Sequence, residues 1–68
     1  MTIGENLKTA RTTKGISSTK LAECANVSHV MILRYESGQS VPNIITAYKI
    51  AKTLGITIDD IMKGWESV

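Results

Sequence analysis

Residues 17–38 read SSTKLAECANVSHVMILRYESG, and this pattern predicts two short helices joined by a tight turn. Ser17 is a favourable N-cap for the first helix, because its hydroxyl can accept a hydrogen bond from a free backbone N–H. That helix carries Leu21, Ala22 and Ala25 on one face, as a half-buried helix requires. The chain must then turn at Asn26, since asparagine tolerates the left-handed backbone conformation better than most residues.

The second helix of this stretch has a start signal and a stop signal of its own. Ser28 can cap its first turn, and the helix is predicted to run to Ser37 and to stop at Gly38. Two short helices around a turn of this kind have the layout of a helix-turn-helix.

The flanking sequence predicts three further helices. Thr2 with Glu5, and Thr57 with Asp60, have the spacing of a capping box, and Asn43 is a favourable N-cap. No β pattern, repeat or low-complexity segment occurs, so the chain is predicted to be an all-α domain of five helices. The three flanking helices should cover residues 3–14, 44–54 and 58–63, and should end at Gly15, Gly55 and Gly64.

Composition places the chain in a broad class. Its 68 residues predict one domain over residues 1–64, followed by a short tail over residues 65–68. No stretch approaches the roughly 20 apolar residues of a membrane span, and no secretory signal is expected. Cys24 is the only cysteine and His29 the only histidine, which argues against a disulfide framework and a metal site and fits a reducing cytoplasm.

Charge is distributed unevenly along the chain. The formal net charge is +2, and the last dozen residues are neutral to acidic. A basic front favours contact between the N-terminal helices and a polyanion such as DNA, although single lysines are more often ordinary solvated charges. The basic residues of the first half are Lys8, Arg11, Lys14, Lys20 and Arg34.

Several spaced motifs, in the same order, resemble the phage repressor and Cro-like helix-turn-helix family. They read IGENLKTARTTKGIS, LAECANVS, ILRYESGQSVPN and YKIAKTLGITIDDIM, and they cover about residues 3–62. The resemblance implies a five-helix, lambda-repressor-like fold with a supporting helix over residues 18–25 and a recognition helix over residues 29–37. It also implies a transcriptional regulator that binds operator DNA as a dimer.

The resemblance assigns roles by position. His29, Val30, Leu33 and Arg34 occupy the base-reading positions, and Arg11 with Glu36 matches a structural ion pair found in some members. Ser18 lies where many members have a glutamine, which is longer, so a phosphate contact is more plausible for it than a base contact. The residues expected near the DNA backbone are Arg11, Ser18, Thr19, Ser28, Gln39 and Ser40.

The outer face of the recognition helix limits what can be read. With Ile32 pointing inward, a step of 100° per residue turns Val30 and Arg34 almost directly outward. Arg34 can bind guanine O6 and N7 bidentately, unless it only contacts a phosphate or pairs with a neighbouring acid. Val30 and Leu33 have no hydrogen bonds to offer and would read thymine methyl groups.

Other residues of this region keep two interpretations. His29 could donate to a base or a phosphate, or could simply be solvated at the helix start. Met31 or Leu33 could pack partly into the core instead of facing outward.

One copy with so few basic residues should bind DNA weakly, and a two-fold homodimer on half-sites about 34 Å apart would supply the missing affinity. Ile58, Met62 and Trp65 are the candidate dimer surface, although Trp65 could instead pack over the core.

The leading interpretation is a cytoplasmic, sequence-specific regulator, expected to be a repressor, that binds double-stranded DNA at a palindromic operator. No cofactor or small-molecule ligand is expected. An enzyme is not expected either, because the chain has no phosphate-cradling glycine loop and no plausible Ser–His–Asp order. The alternative is a protein-interaction module on the same fold, antirepressor-like or antitoxin-like, that uses the apolar face of Val30, Met31 and Leu33. A regulatory protein partner is possible in either case.

Overall fold

The computed structural model describes residues 2–63, which form five α-helices. The order of the helices confirms the predicted all-α class, and the fifth helix ends at Met62, one residue earlier than expected. The predicted stop at Gly64 lies outside the described residues. No helix within residues 2–63 is long and apolar enough to cross a bilayer. The helices are α1 (Ile3–Lys14), α2 (Ser18–Ala25), α3 (His29–Ser37), α4 (Ile44–Leu54) and α5 (Ile58–Met62).

Each helix begins at the cap that the sequence predicts. The Ser17 hydroxyl accepts a hydrogen bond from the backbone N–H of Lys20 at 3.0 Å, and Ser28 and Asn43 make the equivalent bonds at the starts of α3 and α4. Asn26, between α2 and α3, has a φ of 56°, which is the left-handed turn expected of it. Local side-chain chemistry therefore sets the helix boundaries of the helix-turn-helix.

Two capping boxes make the stability of the fold sensitive to acid. The carboxylates of Glu5 and Asp60 each accept the backbone N–H of the threonine that caps the helix, both at 3.0 Å. These hydrogen bonds lower the pKa of Glu5 below its ordinary value of 4.5 and the pKa of Asp60 below 3.8.

We expect the free energy of unfolding to fall as the pH drops below about 4.5. A carboxyl group whose pKa is lower in the folded state stabilises the fold above its unfolded-state pKa, and this contribution is lost as the pH falls through the folded-state pKa. Urea denaturation between pH 6 and pH 2 measures the effect. The Glu5→Gln variant should lose part of this acid sensitivity, and an unchanged pH profile would contradict the assignment.

The core lies where the five helices meet. Its fully buried large side chains come from every helix, so no helix is merely attached to the outside. In the helix-turn-helix, Ala22 is also buried as expected, Tyr35 is buried, and Val27 is half-buried. The fully buried large side chains are Leu7, Leu21, Ile32, Ile50 and Ile61.

Asn6 is a buried polar residue of α1 that holds the end of α5. Its Nδ2 donates hydrogen bonds to the backbone carbonyl of Ile61 at 2.7 Å and to that of Lys63 at 2.8 Å. The last carbonyl groups of a helix have no partner within the helix. A side chain from the opposite end of the sequence supplies those partners here, so it fixes where α5 ends.

Gly4 allows α1 to lie directly against the end of α3. A Cβ atom built on Gly4 would press on the carbonyl oxygen of Tyr35 and lie 2.7 Å from that of Glu36. Both atoms belong to the backbone of α3 and cannot swing aside. A residue without a side chain at this position is therefore a condition for the observed placement of α3 on α1.

Candidate nucleic-acid interface

The four predicted base-reading residues share the exposed face of α3. His29, Val30, Leu33 and Arg34 are all exposed, whereas Ile32 on the opposite face is buried. Val30 is 58% exposed and Leu33 48% exposed, which is unusual for large apolar side chains. We call these four residues the α3 reading face.

Met31 does not belong to that face. It is partly buried and packs against the hydrophobic core. Of the two interpretations that the sequence left open for Met31 and Leu33, packing therefore applies to Met31 and exposure to Leu33.

The guanidinium of Arg34, in the last turn of α3, has no partner among residues 2–63. Among residues 2–63, no carboxylate lies within ion-pair distance of its guanidinium, and its side chain makes no hydrogen bond to this part of the chain. Pairing with a neighbouring acid, one of the interpretations open for Arg34, therefore has no support there. Five N–H donors in a planar fork remain for an external acceptor.

The loop after α3 is hydrogen-bonded to the backbone of Arg34. The backbone carbonyl of Arg34 accepts the N–H of Gln39 at 2.9 Å and that of Ser40 at 3.3 Å. Those two amides are engaged within the fold, so Gln39 and Ser40 can reach a phosphate only through their side chains. Gln39 is exposed and Ser40 is half-buried.

Ser18 and His29 join the starts of α2 and α3. The Ser18 hydroxyl lies 2.9 Å from Nε2 of His29, at hydrogen-bond distance, and the Thr19 hydroxyl lies 3.5 Å from the same atom. Which partner donates depends on the tautomer of the imidazole. Since Nε2 is engaged with α2, Nδ1 is the nitrogen of His29 that remains for another partner.

Ser28, another residue expected at the DNA backbone, serves the fold as the N-cap of α3. Its hydroxyl oxygen accepts the N–H of Met31 at 3.1 Å. The hydroxyl proton remains available to donate to a phosphate oxygen.

Arg11 and Glu36 form the ion pair that the family resemblance implies. Nε of Arg11 donates to Oε2 of Glu36 at 2.7 Å, Nη2 donates to Oε1 at 3.1 Å, and Nη1 donates to the carbonyl of Ile16 at 3.0 Å. The Arg11 side chain is only 13% exposed, and its hydrogen bonds to Glu36 raise its pKa. The guanidinium thus ties α1 to α3, and a contact between Arg11 and the DNA backbone stays a prediction.

The proposed dimer residues of α5 are not free. Ile58 and Met62 are half-buried and pack against the core of their own chain. Trp65 lies outside the described residues. Among residues 2–63, the exposed large apolar side chains beyond the α3 reading face lie before and along α4, and none of them was predicted as a site residue. They are Val41, Ile44, Ile45 and Tyr48.

Metal-ligating side chains do not cluster in the described structure. Among residues 2–63, no three histidine, cysteine or carboxylate side chains come together at ligand distance. Cys24 is exposed on α2.

Comparison with protein families and known sequences gives consistent matches. Residues 7–61 match a family model described as helix-turn-helix. The chain is 34% identical over 61 residues to YonR of Bacillus subtilis, an SPbeta prophage-derived uncharacterized HTH-type transcriptional regulator, covering 90% of this chain and 56% of YonR. It is 35% identical over 68 residues to BcrR of Enterococcus faecalis, an HTH-type transcriptional activator, covering 100% of this chain but 33% of BcrR. The chain therefore spans about half, or less, of the length of these relatives.

Comparison with solved structures identifies the same fold. The P22 c2 repressor in complex with a synthetic operator superimposes with a TM-score of 0.88 at 26% identity, over 94% of this chain and 97% of that one. The restriction-modification controller protein C.AhdI of Aeromonas hydrophila superimposes with a TM-score of 0.84 at 27% identity, over 87% of this chain and 89% of that one. The predicted lambda-repressor-like fold is confirmed.

Proposed function

Since the chain belongs to the Cro/C1-type helix-turn-helix family of DNA-binding transcriptional regulators, we propose that it represses transcription by binding a palindromic operator as a homodimer. The prediction that the chain is not an enzyme is confirmed by this membership. BcrR, one of the relatives, is named an activator, so repression, as opposed to activation, is part of what we propose. The P22 c2 repressor, whose fold this chain shares, binds its operator in the crystal, which supports operator DNA as the partner here.

The exposed, uncommitted Arg34 on α3 is the observation that carries the proposal. Its guanidinium has the fork geometry that matches O6 and N7 of guanine, and a good bidentate pair provides about 1–3 kcal/mol of discrimination. Val30 and Leu33 lie on the same exposed face and offer only apolar contact. We therefore expect a half-site with a guanine opposite Arg34 and thymine methyl groups near Val30 and Leu33.

Polar groups around the α3 reading face would hold the helix in the groove. Ser18 and Thr19 lie at the start of α2, beside His29, and the Gln39 and Ser40 side chains lie just beyond the end of α3. Contacts of this kind, with Ser28 at the cap of α3, set position and affinity but carry no sequence information. Because the proposed partner is operator DNA, we place the protein in the prokaryotic cytoplasm.

Selection of bound sites from a random DNA pool, followed by salt titration on the selected site, tests the proposal. We expect a palindrome with half-site centres about 34 Å apart. The logarithm of affinity should fall with the logarithm of salt concentration, with a slope of about −0.9 for each neutralised phosphate. Recovery of no preferred sequence, together with a slope near zero, would overturn the proposal.

A protein-interaction module is the second candidate function, and the exposed apolar residues of α3 favour it. Such a patch can bind another protein instead of DNA. Replacing Val30 and Leu33 by serine separates the two functions, because both side chains are exposed and the fold should tolerate the change.

If the DNA proposal holds, the Val30→Ser/Leu33→Ser variant should lose about 0.8 kcal/mol of discrimination at each thymine whose methyl group Val30 or Leu33 contacts. Gel-shift titration against single-base variants of the selected site measures this loss. Replacing those thymines by uracil removes only the methyl group, so wild-type protein on uracil-containing DNA should show the same loss. Unchanged DNA binding combined with loss of a protein partner would favour the interaction module.

A further inference from the structure

We propose that Val41, Ile44, Ile45 and Tyr48 form the surface through which two copies of this chain associate on DNA. We call these four residues the α4 patch. The proposal rests on the dimeric operator binding proposed above, and it replaces the α5 surface expected from the sequence with a surface on α4.

The α4 patch is apolar and strongly exposed. Val41 is 68% exposed, Ile44 67%, Ile45 66% and Tyr48 56%. The buried face of α4 is formed by other residues, Ala47, Ile50, Ala51 and Leu54. Helix α4 therefore carries apolar side chains on two faces, and the core of this chain covers only one of them. An uncovered apolar face on a small domain indicates contact with something outside the chain.

The absence of charged side chains within the α4 patch favours a second copy as its occupant. No residue from Gln39 to Tyr48 is charged, and the nearest cation along the chain is Lys49, which directly follows Tyr48. Beside Tyr48, one groove is lined by Lys52 and Asp59 and another by Lys49 and Lys52. A two-fold interface brings the same patch together from both copies, and the four uncharged side chains of the α4 patch do not repel their own copies.

The size of the patch fits an association that DNA completes. Its four residues expose roughly 500 Å², within the range of the largest apolar patch on a typical monomer. Two copies would bury about 1,000 Å² in total, near the lower limit for a specific interface. We infer weak association in solution and strong association when two half-sites hold both copies side by side.

The position of the patch suits that arrangement. Val41 directly follows Gln39 and Ser40, whose amides are bound to the end of α3. A second copy on the α4 patch therefore lies next to the proposed DNA-contacting loop. On α5, by contrast, Ile58 and Met62 are already packed against the core of their own chain.

Binding of an Ile45→Gln/Tyr48→Gln variant to the selected operator and to an isolated half-site tests the proposal. Both replacements are uncharged, so they do not alter attraction to DNA. We expect half-site affinity within twofold of wild type, and a loss of at least tenfold in the cooperativity with which the second copy binds the full operator. Ile44→Gln, a single exposed replacement, should reduce cooperativity in the same direction and serves if the double variant does not fold. Met62→Gln tests the α5 surface expected from the sequence; because Met62 packs against the core, its folding is checked first by circular dichroism, and the folded variant should leave cooperativity unchanged.

The outcomes separate this proposal from the function that it rests on. If wild-type protein shows no sequence preference, the proposed function fails first. If wild-type protein binds the full operator cooperatively and the α4 patch variants do so equally well, the function stands and the patch assignment is wrong. Loss of half-site binding by folded patch variants, or loss of cooperativity in Met62→Gln alone, would also overturn the assignment.

Discussion

Replacing Glu36 by alanine is expected to lower the free energy of unfolding by about 3 kcal/mol, because it leaves the mostly buried guanidinium of Arg11 without its carboxylate. Domains have only about 0.05–0.15 kcal/mol of stability per residue, so for 68 residues this is a large share of the total. Urea denaturation monitored by circular dichroism measures the change. The expected loss far exceeds that of an exposed ion pair, which is typically below about 1 kcal/mol.

A double replacement provides the control for Glu36. An Arg11→Met/Glu36→Leu variant removes both charges and keeps apolar volume at the site, so it should recover much of the stability lost in Glu36→Ala. A loss below about 1 kcal/mol in Glu36→Ala would place the ion pair among weak surface interactions. It would contradict the role of this pair in tying α3 to α1.

Replacing Gly4 by alanine should also destabilise the fold, by about 1–3 kcal/mol, because the new Cβ would press on backbone carbonyl oxygens of α3. Helix propensity alone predicts the opposite, a gain of about 1 kcal/mol for alanine over glycine. Thr13→Ala, at an exposed position of the same helix, is the matched control and should show no such loss. Thermal unfolding of the two variants measures the difference, and a gain in stability for Gly4→Ala would disprove the close approach of α1 and α3.

Gly4 and Glu36 link stability to function at the same contact. Both residues act where α1 meets the last turn of α3, and that turn carries Arg34. Loss of either contact frees the end of α3 from α1. We therefore expect DNA affinity to fall along with stability in both variants, although neither residue belongs to the α3 reading face.

The helix starts could be predicted from the sequence because the signals that set them are local, whereas α5 ends one residue earlier than predicted. A cap such as Ser17 bonds the backbone three residues later, and Asn26 adopts its turn conformation where it stands. The exposure of Val30 and Arg34 also followed from local geometry once Ile32 was taken as buried. Where sequence neighbours decide the structure, the sequence was sufficient.

The remaining features depend on residues far apart in the chain. Asn6 donates to the carbonyl groups of Ile61 and Lys63, which lie 55 and 57 positions further along the chain. The residues next to Asn6 in the sequence do not indicate that contact. Gly4 looks like an ordinary helix residue until α3 is placed beside it. The Ser18–His29 contact likewise spans two helices, so the sequence suggested separate roles for the two side chains.

Helix α4 shows a second reason why the sequence alone did not predict the candidate site. Its buried stripe is formed by apolar residues at helical spacing, Ala47, Ile50, Ala51 and Leu54. The same helix also has Ile44, Ile45 and Tyr48 on another face, and a sequence pattern does not tell which of two apolar faces the core will cover. In the structure these three side chains are exposed, and we therefore propose the α4 patch, and not α5, as the dimer surface.

The central claim is that the α3 reading face recognises a DNA sequence, and an Arg34→Ala variant tests it most directly. Wild-type and variant proteins are titrated against the selected operator and every single-base variant of one half-site, with Lys20→Ala as a control for the loss of an exposed cation. We predict that Arg34→Ala loses about 1–3 kcal/mol of discrimination at one guanine and keeps its preferences elsewhere. Uniform weakening across all sequences, or no change at that guanine, would contradict the claim.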